Sequence, residues 1–514
     1  MSRKVTDKAV GNRPVRHLRT IIIGSGFAGL GLAIRLSQQG RNDFLVLERG
    51  HDVGGTWRDN TYPGAACDVP SHLYSYSFAL NPNWSRSFSR QNEIQGYIRN
   101  VAEKYNVLDK HLFNCDVTGA RWNNEDSRWE IESSQGSFTA DTVVSAVGAL
   151  CEPALPDIKG INDFTGEIFH SARWNHDSDL AGKRVAIIGT GASAIQIVPA
   201  IAPKVAHLDV YQRTAPWLLP RLDRPYLLPE RLAFKYLPGV QRLSRAAIYA
   251  ARETQVVGLA KFPPLMRGME ALAKAKLQYE IRDPQLRAKV TPNFRIGCKR
   301  MLISNDYYPA LSRDNVDVVT DGIAEVRENA IVTKDGTVRE VDAIIVATGF
   351  HVTDSPTYNT IAGKDGRTLS EVFDAIGQQG YKGSAIANFP NMFFLLGPNV
   401  GLGHTSMVYM IESQINYISD ALATFDRLGL RTVEVRRDVQ DAFNAELQAK
   451  LVKSVWNTGG CASWYLDKHG NNTTLWPDFT FEFRRLTKKF DVAAYETTTV
   501  GDTTSPDLKV VTAQ

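Results

Sequence analysis

A glycine turn set between a strand and a helix constrains this chain more than any other feature of its sequence. The β-prone residues 20–23 run straight into Gly24-Ser25-Gly26-Phe27-Ala28-Gly29. Apolar residues then recur at helical spacing (Leu30, Leu32, Ala33, Leu36) as far as Gln39. Gly40 stops the pattern, and Phe44 to Leu47 reads as a second strand closed by Glu48. Glycines at those positions allow a tight turn, close approach of the backbone to a pyrophosphate, and close packing of helix on strand. The helix N-terminus then faces the phosphates with its partial positive charge. Glu48 stands 24 residues after Gly24, where a carboxylate accepts from ribose hydroxyls. The segment is read as one βαβ dinucleotide-binding unit.

A second unit of the same pattern begins at Arg184. The strand Val185-Ala186-Ile187-Ile188 meets Gly189-Thr190-Gly191-Ala192-Ser193-Ala194, a helix runs from Ser193 to about Ala202, and the strand Leu208 to Tyr211 ends at Gln212-Arg213-Thr214. Ala194 replaces the third glycine, which is tolerated where helix and strand pack slightly wider. No acid ends the following strand; Arg213 and Thr214 stand there instead. A 2′-phosphate needs a cation and a hydroxyl, so this turn favours NADPH over NADH. Two half-buried strands before glycine breaks, Thr142 to Val147 and Ala343 to Val346, mark where the chain crosses between the two units.

The fold class read from this pattern is α/β, with two Rossmann-like dinucleotide-binding domains and a helical insertion. A chain of 514 residues is long enough for several domains. The expected order is a flexible lead (1–17), the first part of a FAD domain (18–150), the first part of an NADPH domain (151–220), and a helical insertion or lid (221–290). The second part of the NADPH domain (291–347), the second part of the FAD domain with C-terminal substrate and cofactor loops (348–495), and a flexible tail (496–514) follow. Ser406 to Leu422 and Asp438 to Lys453 read as helices.

A net charge of +4 is small for this length and gives no ground for a nucleic-acid partner. No apolar run approaches the roughly 20 residues of a membrane helix, and the basic first residues lack the apolar stretch of a secretory signal. The five cysteines (Cys67, Cys115, Cys151, Cys298, Cys461) are odd in number, scattered, and contain no Cys-x-x-Cys. A disulfide framework or metal site is not expected, and a cytoplasmic location fits best. Two dinucleotides in one chain imply hydride passing from nicotinamide to flavin. Without a redox cysteine pair, the outcome expected for the reduced flavin is oxygen activation.

One further segment carries a resemblance. Phe164-Thr165-Gly166-Glu167-Ile168-Phe169-His170-Ser171-Ala172-Arg173-Trp174 resembles the F-x-G-x-x-x-H-x-x-x-W fingerprint of Baeyer–Villiger monooxygenases, the class B flavoprotein monooxygenases related to flavin-containing monooxygenases. The fingerprint lies just before the second glycine turn, as in that family. It usually continues with Pro or Asp, whereas this chain has Asn175. Trp174 separates it from the heteroatom-oxygenating relatives, which carry Tyr or Phe there. The likeness covers most of 18–490 and is poorest in 225–285.

The resemblance implies roles for individual residues. Gly24, Gly26, Phe27, Ala28, Gly29, Glu48, Thr56, Trp57, Asp59, Asp68, Tyr74, Val117 and Met407 would surround FAD. Gly189, Thr190, Gly191, Ala192, Ser193, Ala194, Gln196, Arg213, Thr214, Lys299, Arg300 and Trp456 would surround NADP. In Gly297-Cys298-Lys299-Arg300 the lysine would help hold the 2′-phosphate and the arginine would be the active-site arginine, positioned by Asp68. Phe164, Gly166, His170 and Trp174 form the fingerprint, with His170 read as structural or conformational. Trp174, Trp456 and Trp464 are of a kind more often used for packing. The family often has Asp where this chain has His351. The implied activity is NADPH-dependent insertion of one oxygen of O2 beside a ketone carbonyl, through a C4a-peroxyflavin, giving an ester or lactone. The alternative is heteroatom (N/S) oxygenation. The expected partners are a small ketone and O2, and the chain would act as a monomer or weak homo-oligomer.

Overall fold

The chain's two glycine turns open two separate parallel sheets in the computed structural model, which describes residues 15–467 and 469–501. The strand Arg16–Ile23 pairs in parallel with Phe44–Leu47 on one side and Gly136–Ser145 on the other. The helix Phe27–Gln38 follows the first turn and packs against the long helix Met407–Leu428. The approach there is close: a Cβ on Gly31 would lie 2.7 Å from the Ile415 side chain. The C-terminal third therefore returns to the first sheet. Its strand Met392–Phe394 joins the edge of Gly136–Ser145 in parallel register.

The second sheet sets Arg184–Ile188 between His207–Tyr211 and Ala343–Val346, with Glu167–His170 and Val316–Val319 outermost. Its central strands Arg184–Ile188 and Ala343–Val346 are apolar apart from Arg184, as expected where both faces are covered. The crossings expected after Thr142–Val147 and Ala343–Val346 run side by side. Ala154 N donates to Gly349 O at 2.9 Å, and His351 N donates to Glu152 O at 2.9 Å. These strands are central rather than half-buried: every residue of Ala343–Val346 is buried, because each is flanked on both edges and covered on both faces.

Both ends differ from expectation where they are described. Arg16 and His17 belong to the first strand rather than to a lead. The stretch Tyr495–Thr499 is a strand paired antiparallel with Leu430–Val435, not a fraying tail. The rest of the expected lead and tail, 1–14 and 502–514, lies outside the described residues. Between the two halves of the second sheet stand the helices Leu228–Tyr236, Val240–Glu253, Met266–Glu280 and Pro284–Lys289. This insertion packs on the first domain. His72 lies 4.3 Å from Phe234 and 5.0 Å from Tyr226, ring to ring. Arg245 donates to the His72 carbonyl at 2.7 Å.

Candidate active site

The two glycine turns open onto one cavity of about 1470 Å³. That exceeds the roughly 300–1,000 Å³ of a pocket for one drug-sized molecule. At the first turn, Gly24 has φ +101° and a Cβ there would meet the Ala146 carbonyl oxygen at 2.7 Å; one on Gly29 would meet the Gly24 oxygen at 1.9 Å. Only glycine closes this turn. Glu48 is 4% exposed, its carboxylate accepting from Ser25 N at 2.8 Å, Gly50 N at 2.7 Å and Arg58 Nη1 at 2.7 Å. Arg58 was not singled out by sequence. It also donates to both oxygens of Asp59, at 2.8 and 3.1 Å. Asp59 therefore stands at the cavity with its charge already met.

Thr56, Trp57, Tyr74, Val117 and Met407 border the same end, whereas Gly29 lies behind the wall. Trp57 Nε1 donates to Tyr74 Oη at 3.0 Å, and the Tyr74 ring meets Phe27 edge-on at 5.3 Å. Burial pushes the Tyr74 phenol well above its ordinary value, so it stays neutral. A glycine-walled cradle with an anchored carboxylate at its end, and with Asp59 neutralised by Arg58, fits the adenosine diphosphate half of a dinucleotide.

The second turn is looser. Gly189 is still required, since a Cβ would meet the Ala347 oxygen at 2.3 Å, but nothing lies within 4 Å of one on Gly191. The helix begins only at Ala194, five residues after Gly189. In the first unit it begins at Phe27, three after Gly24. The extra length leaves room for the Ala194 methyl, which is fully buried and away from the cavity. Thr190 Oγ1 donates to the Thr214 carbonyl at 2.9 Å, holding Thr214 and Arg213 beside the turn. Lys299 stands near Arg213. Burial, and then the charge of Arg213, lowers the Lys299 pKa. Among the described residues neither cation has a carboxylate partner. Two adjacent unneutralised cations make a place for a phosphate dianion.

Gln196 is also at the cavity, but its amide is spent on the first domain. Its Oε1 accepts from Tyr62 Oη at 3.1 Å and Ala66 N at 3.2 Å, and its Nε2 donates to Ala66 O at 3.0 Å. Trp456 is 1% exposed and sits in an apolar cluster with Leu259 and Val455, not on the cavity wall. Its indole fills the space beside Gly403, a packing position. The neighbouring Trp464 does reach the cavity.

Asp68 and Arg300 meet between the two turns. Arg300 Nε and Nη2 donate to the two Asp68 oxygens at 2.6 and 2.7 Å. The pair comes from segments 232 residues apart. Asp68 pushes the Arg300 guanidinium still further up. Burial alone would raise the Asp68 carboxyl, but the charge and hydrogen bonds of Arg300 prevail and hold it below its ordinary value. Arg300 is walled in by protein yet keeps 36% of its side chain open, towards the cavity. Tyr465 lies beside it, its phenol pushed by burial up to about 12.

The fingerprint residues Phe164, Gly166, His170 and Trp174 do not line the cavity. A Cβ on Gly166 would lie 2.5 Å from the Asp342 oxygen, and Trp174 packs edge-on against Phe169 at 5.0 Å. His170 Nδ1 accepts from Ala172 N at 3.1 Å, and its ring lies 5.7 Å from Phe350 at the domain crossing. Burial lowers its pKa, with the Gly349 backbone opposing. His170 is thus a neutral packing group against the crossing. His351 pairs with Asp354 at 2.9 Å.

One cysteine expectation fails. Cys298 and Cys461 form a disulfide across 163 residues of chain. No local spacing announces such a pair; the fold brings the two segments together. Neither cysteine lines the cavity. Among the described residues His207, Asp209 and Asp317 could offer metal ligands, but Arg339 already bridges the two carboxylates at 2.7 and 3.0 Å.

Residues 21–232 match the family described as Pyridine nucleotide-disulphide oxidoreductase. The chain is 51% identical over 481 residues to a Baeyer-Villiger monooxygenase of Streptomyces coelicolor, covering 93% of this chain and 92% of the relative. Its fold is similar to cyclohexanone monooxygenase from Rhodococcus sp. Phi1 bound to NADP+, with a TM-score of 0.84 at 26% identity, covering 95% of this chain and 100% of that one. A complex of OTEMO with FAD and NADP is similar to the same degree, with a TM-score of 0.84 at 26% identity over 94% of this chain and 99% of that one.

Proposed function

The chain belongs to the Baeyer–Villiger monooxygenases, FAD- and NADPH-dependent flavoproteins that insert one oxygen atom of O2 beside a ketone carbonyl, and from that premise we propose how its residues divide the work. Residues 18–150 with 348–495 hold FAD at the first turn, and 151–220 with 291–347 hold NADPH at the second. FAD, once reduced by NADPH, supplies the activation of O2. Everything else falls to the protein: orientation, exclusion of water, and charge.

Arg300 is the catalytic cation. The reaction develops negative charge on oxygen beside the ketone carbon. A guanidinium aimed at that charge in a water-poor site stabilises it without losing its own proton. Asp68 fixes the orientation of Arg300 through two hydrogen bonds, Nη1 reaches the Leu402 carbonyl at 3.4 Å, and the N–H groups still unused face the cavity. Arg213, Thr214 and Lys299 receive the 2′-phosphate of NADPH. His170 works at the crossing between domains and transfers no proton. Among the described residues no helix is long and apolar enough to cross a membrane. The demand for NADPH and the free Cys67, Cys115 and Cys151 support a cytoplasmic place of work.

The observation that carries this reading is the bidentate Asp68–Arg300 pair opening between the two turns. Arg300→Ala tests it. The variant is expected to keep FAD and to lose ester formation from a panel of ketones by about 100-fold or more, the scale of losing a charge-stabilising donor. Ester formation at the normal rate would remove Arg300 from the chemistry.

A further inference from the structure

The Cys298–Cys461 disulfide ties together two segments that the cavity depends on. Cys298 immediately precedes Lys299 and Arg300, and Cys461 stands four residues before Tyr465. Arg295 N donates to Gly459 O at 2.9 Å beside the bond, and Gly459 is so close that a Cβ there would lie 2.5 Å from Cβ of Cys298. The wall carrying Trp464 and Tyr465 is thus fastened to the loop carrying the two cations. Cys298 is fully buried, whereas Cys461 is partly exposed, so solvent reagents reach the bond from one side. The remaining thiols are poor competitors. Burial pushes Cys67 far up and Cys151 up to about 11, and Cys115 is buried. Low thiolate content makes Cys67 and Cys151 slow to react, and burial keeps reagents from Cys115.

We propose that Cys298–Cys461 is a redox-modification site that sets how firmly the Lys299–Arg300 loop is held against the 459–465 wall. The inference rests on the assignment of Lys299 and Arg300 above. Closed, the bond keeps both cations in register with the bound cofactors; opened, it frees the wall. The oxidant is hydrogen peroxide, the product of a reduced flavin whose activated oxygen fails to reach a ketone. The Cys461 thiolate attacks the peroxide, forming an S–O bond, breaking the O–O bond and releasing water after protonation. The Cys298 thiolate then attacks the sulfenic sulfur, forming the S–S bond and releasing a second water. Two thiols and one peroxide become one disulfide and two waters, with two electrons passing from sulfur to oxygen. Two equivalents of a small thiol reverse the step and leave as their own disulfide. Where the surroundings are reducing, protein disulfides are usually transient and redox-sensing. An enzyme that leaks peroxide therefore fastens its own wall.

The test uses the holoenzyme, treated either with a phosphine reductant or with hydrogen peroxide and then desalted. Thiols counted after denaturation should be five in the reduced form and three in the oxidised form, from five cysteines with one pair. The reduced form should show a KM for NADPH and a peroxide yield per NADPH about tenfold higher, the scale of a small misplacement of positioning groups. Cys461→Ser should show the reduced-form values under both treatments. Five thiols after peroxide, equal kinetics for the two forms, or a Cys461→Ser variant that still responds would each overturn the proposal. These readouts are separate from the Arg300→Ala test. An active Arg300→Ala enzyme would remove the role of Arg300 while the thiol count still stood.

Discussion

The two glycine turns carry nearly the same string of residues and do opposite things with it. Around the first, Ser25, Phe27, Ala28 and Gly29 are buried and Glu48 is locked by Ser25, Gly50 and Arg58. Around the second, Gly191 and Ala192 are exposed, the helix starts two residues later, and Arg213 lies in solvent. A ligand in the first turn is enclosed by a preorganised frame whose carboxylate is already paired, with the buried Ser25 hydroxyl left without a protein partner. One in the second meets two cations at an open edge, which speeds arrival and departure. The difference teaches that the motif only places a pyrophosphate. Burial of its frame decides whether the dinucleotide stays as a prosthetic group or exchanges as a co-substrate.

The sharpest way to break this contrast is to add one methyl to each turn. Gly29→Ala drives a Cβ to 1.9 Å from the Gly24 oxygen, an overpacking cost of about 1–3 kcal/mol or more. The purified protein should lose its flavin absorbance. Gly191→Ala meets no protein atom and should leave the fold and flavin content intact, its cost confined to a higher KM for NADPH, where the methyl would face the pyrophosphate. Equal behaviour of the two variants would contradict the comparison.

A smaller effect sharpens the second turn alone. Arg213→Ala and Lys299→Ala each remove a charged partner of the 2′-phosphate, worth about 1.5–3 kcal/mol. The KM for NADPH should rise on the order of 10- to 100-fold, with that for NADH and the flavin content nearly unchanged. An unaltered NADPH preference in both variants would return the 2′-phosphate to other residues.

The last effect is read in stability rather than in kinetics and concerns the insertion that shelters the first domain. Burial, reinforced by the charge of Arg245, lowers the His72 pKa from 6.5 to about 4. The folded state therefore favours neutral His72. Its contribution is full above pH 6.5 and is lost as pH falls towards 4, about 3 kcal/mol in all at 1.36 kcal/mol per pKa unit. Melting curves from pH 7.5 to 5 should show falling stability, with a shallower fall in His72→Asn. A His72→Asn protein with the same pH slope would show that other groups set it.

Much of this was legible in the chain because the informative signals were local. A strand, a glycine turn and a helix lie within a few consecutive residues, and Glu48 and Arg213 stand at the ends of the following strands. The resemblance then led to Asp68 and Arg300, which composition alone could not have joined, since their contact spans 232 residues. Arg58 was missed because its role is to neutralise Glu48 and Asp59, a contact seen only once the helix Thr56–Asp59 is folded against the second strand. Trp456 matched a cofactor position, and the fold buries it in an apolar cluster with Leu259 and Val455. The Cys298–Cys461 bond had no spacing to reveal it. What a sequence shows poorly is long-range closure, and both the disulfide and the packing of the insertion on His72 are of that kind.

The central claim is that the cavity between a buried flavin turn and an open NADPH turn delivers one oxygen atom to a ketone. Turnover of a ketone with NADPH under oxygen-18 gas tests it most directly. The account predicts an ester or lactone carrying one labelled atom, formed one for one with NADPH consumed. Consumption of NADPH with peroxide released and no label in any organic product would contradict it.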